Sequence, residues 1–419
     1  MKNDTVVLAY SGGLDTSIAV KWIQETYDMD IITLTVDMGA KEGRDLDEVR
    51  QKALDVGAVK ALVADAREVF VDHFVWPALQ AGALYEGVYP LATALARPLI
   101  AKLLVDTANK EGSAAVAHGC TGKGNDQVRF EVGVQTLNPS LDIIAPAREW
   151  GMTRDDELAY ADKFDIPVEV TSESPYSIDE NLWGRSCECG ILEDPWVEPP
   201  EDAYSWTVNP AEAPDEPQYV EISFEKGLPV AIDGEEMDGV ALVEKLNELA
   251  GAHGIGRLDH VENRLVGIKS REIYEAPAAV LLTEAHRALE TLTLGRDTQR
   301  FKEMVSQRYA DMVYDGLWYT AFHQNLAAYV QSSQRAVTGK VRMKLYKGKA
   351  TKAGVQSDYS LYSKTLATYD EEDAFDHQAA EGFINLHGLS ARTEARHQRS
   401  VLSDESVTAR IMPPEIEMD

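Results

Sequence analysis

Apolar and polar positions follow two different rhythms along this chain, and the change between them divides it. In the first third, short apolar or β-branched runs fall at 5–10, 31–36, 61–64, 114–117 and 142–145. Between them, at 16–25, 46–56, 69–79 and 92–110, apolar residues recur at helical spacing. A run of four to six residues without polar interruption suits a strand covered on both faces. Regular alternation of such strands with helices predicts a parallel sheet with helices on either side. Thr153, followed three residues on by Asp156, is a helix-start pattern, so 152–164 is expected to be the last helix of this unit. The expectation is a doubly wound α/β domain over residues 1–168.

Beyond it the order changes. Residues 193–217 are rich in proline and acid and are expected to run irregularly over a surface, with Trp196 and Trp206 packed against it. Residues 219–225 alternate as a strand does, Lys226-Gly227 turns, and 229–232 returns. An amphipathic helix follows at 240–249, closed by Gly251, and then a long helical region at 278–313, broken near Gly295. Residues 341–346, the Lys347-Gly348 turn and an opposing strand make a late hairpin. This reads as an α+β domain over 169–360. From 361 to 402, Phe375, Phe383, Ile384 and Leu386 lack an evident partner in their own domain, which predicts an arm packed on another subunit. Residues 403–419 are acidic and proline-containing, and are expected to be disordered.

Charge and cysteine content remove several function classes. Forty basic against seventy acidic residues give a net charge of −30, which repels a polyanion and excludes non-specific nucleic-acid binding. The acidic excess suits either salt adaptation or solubility. No apolar run is long enough to span a bilayer, and Met-Lys-Asn-Asp leads into the first strand with no signal-peptide layout. Cys120, Cys187 and Cys189 are too few for a disulfide framework, and Cys187-Glu-Cys189 lacks the spacing of a redox or zinc pair. A cytoplasmic protein without membrane attachment is expected.

Two segments carry the chemistry. SGGLDTS, residues 11–17, lies between the first strand and the first helix. Its glycine pair permits a sharp turn that leaves backbone N–H groups at a helix N-terminus, where an anion is favoured. It lacks the Gly-Lys-Ser/Thr of a Walker A loop and the third glycine of a dinucleotide fingerprint. HGCTGKGNDQVRFE, residues 118–131, follows the strand at 114–117 and so lies at the carboxyl edge of the sheet, where ligands of open α/β sheets bind. Its three glycines admit a ligand close to the backbone, and its polar side chains supply donors and a carboxylate.

The first segment resembles the pyrophosphate-binding loop of the ATP pyrophosphatase (PP-loop) family, whose members cleave ATP to AMP and pyrophosphate. The second is similar to the HGATGKGNDQVRFE signature of the argininosuccinate synthase family, with Cys120 where alanine is usual. Further similar blocks are ALYEGVYPLATALARP from Ala83, SPYSIDENLWGRS from Ser174, GILEDP from Gly190, HGIGRLDHVENRLVGIKSREIYEAPA from His253 and EGFINLHGL from Glu381. The resemblance implies a ligase that joins citrulline to aspartate with ATP through citrullyl-AMP, with Mg²⁺ on the triphosphate and a homotetrameric assembly. Carried over by position, ATP meets Ala9, Tyr10, Ser11, Gly12, Gly13, Leu14, Asp15, Thr16, Ser17, Val36 and Gly119. Citrulline meets Tyr89, Asn125, Arg129, Ser177, Ser186, Glu262 and Tyr274. Aspartate meets Thr93, Thr121, Asn125 and Asp126. Asp15 and Asp126 are the candidate catalytic carboxylates, Asp126 to hold the incoming amine and take its proton, while the residues that hold Mg²⁺ are not assigned. Ala94 stands where the family often has serine beside Thr93, which removes a hydroxyl contact there.

Two rival classes are weighed against this. A tRNA-thiolating or lysidine-forming relative needs a basic surface and often a paired catalytic cysteine, neither of which the sequence offers. A non-catalytic nucleotide-binding module leaves the polar blocks of the second domain without a purpose, and absence of turnover would favour it.

Overall fold

The computed structural model describes residues 4–39, 45–167, 176–370 and 372–402. These fall into two compact units, one through Leu361 and one from Tyr362. The expected disordered tail at 403–419 lies outside the described residues.

The first unit begins with five parallel strands: β1 (Thr5–Ala9), β2 (Asp30–Asp37), β3 (Lys60–Asp65), β4 (Ala115–Ala117) and β5 (Asp142–Ile144). Their order is β3-β2-β1-β4-β5, so the chain winds outward from β1 in one direction and then from β4 in the other. Successive side chains of β1 serve opposite faces. Val6 and Leu8 pack with α1 (Leu14–Tyr27), α2 (Leu46–Val56) and, through Ala161, α8 (Arg154–Lys163). Val7 packs with Leu104 and Val105 of α5 (Ala92–Glu111) and with Phe130 and Val134 of α6 (Asp126–Leu137). An uninterrupted apolar run is what a strand buried on both faces requires. The expected helix at 69–79 is α3 (Arg67–Phe70), a wide turn at Val71–Val75 and α4 (Trp76–Ala81) in continuous succession. After β5 come α7 (Pro146–Glu149) and α8, whose Thr153 accepts from Asp156 N while Asp156 accepts from Thr153 N.

The remainder of this unit holds two antiparallel sheets. One has the order β11-β12-β7-β6, from β6 (Ser177–Asn181), β7 (Gly184–Glu188), β11 (Arg257–Asn263) and β12 (Lys269–Glu275). The other has the order β10-β9-β8-β13-β14, from β8 (Gln218–Glu225), β9 (Leu228–Ile232), β10 (Glu235–Glu236), β13 (Gly339–Tyr346) and β14 (Lys349–Gln356). The inner face of the second sheet, with Val220, Ile222, Phe224, Val341 and Met343, packs with α9 (Gly239–Ala252) and α10 (Pro277–Thr293). Helices α11 (Arg296–Tyr314) and α12 (Ala321–Ser333) complete the unit. The fold is therefore α/β followed by α+β. No helix among the described residues is long and apolar enough to cross a membrane.

Two expectations need correction. Gly251 does not close its helix; α9 continues through it to Ala252 and the chain turns at Gly254, at φ +69°. Glycine is required at 251 because a Cβ there would lie 2.4 Å from the Trp206 carbonyl oxygen, where the proline-rich strap crosses the helix. Of the two strap tryptophans, Trp206 is buried but Trp196 is 94% exposed. The strap is anchored near its middle, so residues before that anchor need not pack. The anchor is Glu275, fully buried, which accepts from Ser205 N (2.9 Å), Trp206 N (2.8 Å), Thr207 N (2.9 Å), Thr207 Oγ1 (2.7 Å) and Arg185 Nη1 (3.1 Å).

The second unit contains α13 (Lys364–Ala367), α14 (His377–His387) and α15 (Leu389–Leu402). No residue of α14 is buried, and Phe383, Ile384 and Leu386 are all more than half exposed.

Replacing Glu275 by leucine strands three backbone amides, a hydroxyl and a guanidinium in the core. Glu275→Leu should cost about 3–5 kcal/mol, the range for breaking a buried charged network, with Trp206 fluorescence reporting early release of the strap in a urea titration. A loss below about 1 kcal/mol would show that the strap holds without this anchor.

Candidate active site

Strand order reverses between β1 and β4, and in a doubly wound sheet the crevice at that point is where ligands bind. The two chemistry-bearing segments follow these two strands. After β1 the chain turns through Gly12, at φ +77°, and Gly13 caps α1. The polar groups of the loop satisfy one another at long range: Gly13 N donates to Ser11 Oγ (3.3 Å), Ser11 Oγ meets Thr16 Oγ1 (3.1 Å), and Thr16 Oγ1 donates to Gly13 O (3.3 Å). Such exposed, stretched bonds exchange readily for phosphate oxygens, and the helix N-terminus adds partial positive charge. Lys52 of α2 donates to Gly12 O at 2.8 Å, and Arg154 of α8 pairs with Asp15 at 3.2 Å. Tyr10 and Ser17 share a buried hydroxyl contact of 3.0 Å, while Val36 is half-buried near the carboxyl end of β2.

The loop after β4 lies against this one. A Cβ on Gly119 would sit 3.1 Å from Thr16 Cγ2, so the absence of a side chain lets the two loops touch. Thr121 O accepts from Gly124 N, and Gln127 donates back to Gly122 O at 2.6 Å, which shapes the loop before α6 starts at Asp126.

At the first turn of α6 the candidate substrate residues converge. Asp126 meets Arg97 of α5 at 2.8 Å and Arg129, one turn on, at 2.9 Å. Burial pushes the Asp126 carboxyl pKa up, but the Arg97 and Arg129 guanidiniums outweigh it and hold the group below the ordinary aspartate value. A carboxylate so stabilised in its charged form is a ready hydrogen-bond acceptor. Asn125 bridges outward: its Nδ2 donates to Tyr314 Oη (2.8 Å) and its Oδ1 accepts from Leu265 N (2.9 Å). Arg129 donates through Nε to Tyr314 O (2.8 Å), and its guanidinium lies over the Tyr314 ring, 4.7 Å from the centroid.

Glu262 of β11 is buried and accepts on separate oxygens from Tyr274 Oη (2.6 Å) and Tyr314 Oη (2.5 Å). Tyr274 stacks on Tyr89 (centroids 4.1 Å apart) and Tyr314 on Tyr85 (3.5 Å). Thr93 N donates to Tyr89 Oη at 2.9 Å. Burial raises the pKa of Tyr89, Tyr274 and Tyr314, so all three remain protonated donors at neutral pH. Sheet register brings in the serines. Ser186 pairs with Tyr274 on one side and Asp179 on the other, and Asp179 accepts from Arg97 at 2.8 Å. Ser177, two residues before Asp179 and so on the same face, is exposed at the start of β6.

Three contributors were not among the sequence candidates. Arg97 had a visible signal, the one charge inside the mostly apolar ATALARPLIA stretch of α5. Asp179 and Tyr314 had none, since each looks like an ordinary surface polar or helix-end aromatic. A cavity of about 480 Å³, lined by Gly39, Leu182, Trp206 and Asn247 among others, contains none of the candidate residues in its lining. Burial pushes the Cys187 thiol up to about 11 and the Cys120 thiol higher still, so neither offers a thiolate near pH 7.

The model of the Arginosuccinate synthase N-terminal HUP domain matches residues 5–167, and that of the Arginosuccinate synthase C-terminal domain matches 176–394. The argininosuccinate synthase of Symbiobacterium thermophilum is 58% identical over 400 residues, covering 96% of this chain and 100% of the relative. That of Oceanobacillus iheyensis is 57% identical, covering 94% of each chain, and that of Brevibacillus brevis is 55% identical, covering 98% of this chain and 97% of the relative. Among solved structures, an NH3-dependent NAD synthetase from Campylobacter jejuni covers 40% of this chain and 66% of its own at 14% identity and a TM-score of 0.29, too distant to carry an argument. With both domains matched in order and relatives aligned from end to end, the chain belongs to the argininosuccinate synthase family.

Proposed function

We infer that the chain condenses L-citrulline with L-aspartate, converting ATP to AMP and pyrophosphate and yielding argininosuccinate, a step of arginine synthesis. The contact of Gly119 with Thr16 carries this reading, because it sets the loop suited to pyrophosphate directly against the segment that leads to Asn125, Asp126 and Arg129. A ureido carbon is a poor electrophile and its oxygen a poor leaving group, so the reaction needs prior activation. In the first step the ureido oxygen attacks the α-phosphorus, an O–P bond forms, and the bond to the β-phosphate breaks. The products are citrullyl-AMP and pyrophosphate, the latter held by Ser11, Gly12, Gly13, Thr16 and Ser17. In the second step the amine of aspartate adds to the former ureido carbon, loses its proton, and AMP departs carrying the ureido oxygen.

The protein's part is to bind, orient and exclude water. Arg129 and Glu262, with Tyr89, Tyr274, Ser177 and Ser186, receive citrulline. Asn125, Asp126, Thr93 and Thr121 receive aspartate, with Asp126 orienting the amine as an ionised acceptor. Val36 and Gly119 border the adenosine. Mg²⁺ fits as an ion carried by the ATP phosphates: among the described residues no group of three or more His, Cys, Asp or Glu is placed to hold a metal, and Asp15 is the loop's own carboxylate. When bound, the ion neutralises triphosphate charge.

We divide the chain into a nucleotide domain to residue 168, a synthetase domain at 169–360, an arm at 361–402 and a tail beyond. The protein is assigned to the cytoplasm, consistent with its unpaired cysteines. Its assembly is assigned as a homotetramer in which the apolar residues of α14 are covered by a neighbouring copy.

Pyrophosphate release, measured with citrulline and aspartate supplied singly and together, tests the reaction. Sustained turnover should need both amino acids, and the nucleotide product should be AMP. Accumulation of ADP in step with product would sink the proposal. Truncation after residue 360 should lower the particle mass in light scattering or render the chain insoluble, whereas an unchanged assembly with full activity would contradict the arm's assigned role.

A further inference from the structure

Tyr314 closes α11, is 1% exposed and is not among the residues assigned to a ligand. It nevertheless touches three of the seven citrulline candidates: its hydroxyl donates to Glu262 and accepts from Asn125, and its carbonyl and ring face hold Arg129. The end of its helix is docked closely on α6. Gly316, at φ +76°, would place a Cβ 2.7 Å from Arg129 Cα. Arg129 and Glu262 carry opposite charges and, left free in a buried site, would attract each other strongly. Instead Arg129 pairs with Asp126, while Glu262 is fixed by two tyrosine hydroxyls, one on each oxygen. Each of those oxygens keeps a lone pair for a further donor. The Arg129 Nη2 atom is buried and has no hydrogen-bond partner among the described residues.

We propose that Tyr314 is a positioning residue that keeps Glu262 and Arg129 apart as separate receptors, one for the ammonium and one for the carboxylate of citrulline's amino-acid head. This rests on the citrulline reading of those two residues and extends it to a side chain outside the recognised segments. The hydroxyl serves the amine receptor, and the ring and carbonyl serve the carboxylate receptor. The two functions are therefore separable by substitution. Tyr314→Phe removes the first and keeps the second; Tyr314→Leu removes the hydroxyl and the ring together.

Three ligands read the two ends independently. Citrulline carries both charges, N-carbamoylputrescine lacks the carboxylate, and 5-ureidopentanoate lacks the amine. Calorimetric titration into Tyr314→Phe should show citrulline and N-carbamoylputrescine weakened by about ten- to a hundredfold, the range for a hydrogen bond to a charged group. Binding of 5-ureidopentanoate and the KM for ATP should be unchanged. In Tyr314→Leu, 5-ureidopentanoate should weaken as well. A uniform loss for all three ligands in Tyr314→Phe, or no loss for citrulline, would overturn the proposal while leaving the citrulline reading intact. Failure of the unaltered protein to bind citrulline would overturn the citrulline reading and this proposal with it.

Discussion

Asp126 meets Arg97 with one carboxylate oxygen and Arg129 with the other, and Arg97 continues to Asp179 on the polar sheet. Charges taken out of water need partners in good geometry, and removing one partner strands the rest. This arrangement consequently fixes three elements at once: helix α5 behind the parallel sheet, the first turn of α6, and strand β6. With that turn fixed, Asn125 reaches Leu265 and Tyr314, and Arg129 lies against the end of α11. The remaining geometry of the candidate site follows from where these two charges and their counter-charges are placed.

The same arrangement accounts for the character of the site. Its carboxylates are matched to cations or hydroxyl donors, Asp126 is held below the ordinary aspartate value by its two guanidiniums, and its tyrosines stay protonated. The protein therefore offers strong acceptors and donors around the first turn of α6. That suits a reaction whose driving force comes from ATP. Activation by adenylation makes the carbon electrophilic, so the protein has to bring the reactants together and exclude water from an activated intermediate. The nucleotide side is built differently, from backbone N–H groups and hydroxyls at a helix N-terminus with Lys52 and Arg154 at its edge, as a departing polyanion requires.

Much of the nucleotide half was legible because burial on both faces of a parallel sheet leaves a plain record. The apolar run at β1 and the helix at Leu46–Val56 follow from local pattern, as does the capping exchange of Thr153 with Asp156. The sheet of β6, β7, β11 and β12 was not foreseen, and the cause is functional. Its face toward the site carries Ser177, Asp179, Ser186, Glu262 and Tyr274, so the strands lack the alternation that a core-facing sheet shows. Glu262 and Tyr274 were found by resemblance to a family, not by periodicity. Tyr314 was missed by both, since its role depends on where the end of α11 docks. Gly251 misled because a glycine that admits a crossing chain has the same local appearance as one that ends a helix.

The central claim is that citrulline is activated through its own ureido oxygen where the two loops meet. Citrulline labelled with ¹⁸O in that position tests it most directly. Mass spectrometry of the nucleotide after turnover with aspartate should find one labelled oxygen in the phosphate of AMP for each argininosuccinate formed, and none in pyrophosphate. Unlabelled AMP, or label appearing in pyrophosphate, would contradict activation by adenylation of citrulline.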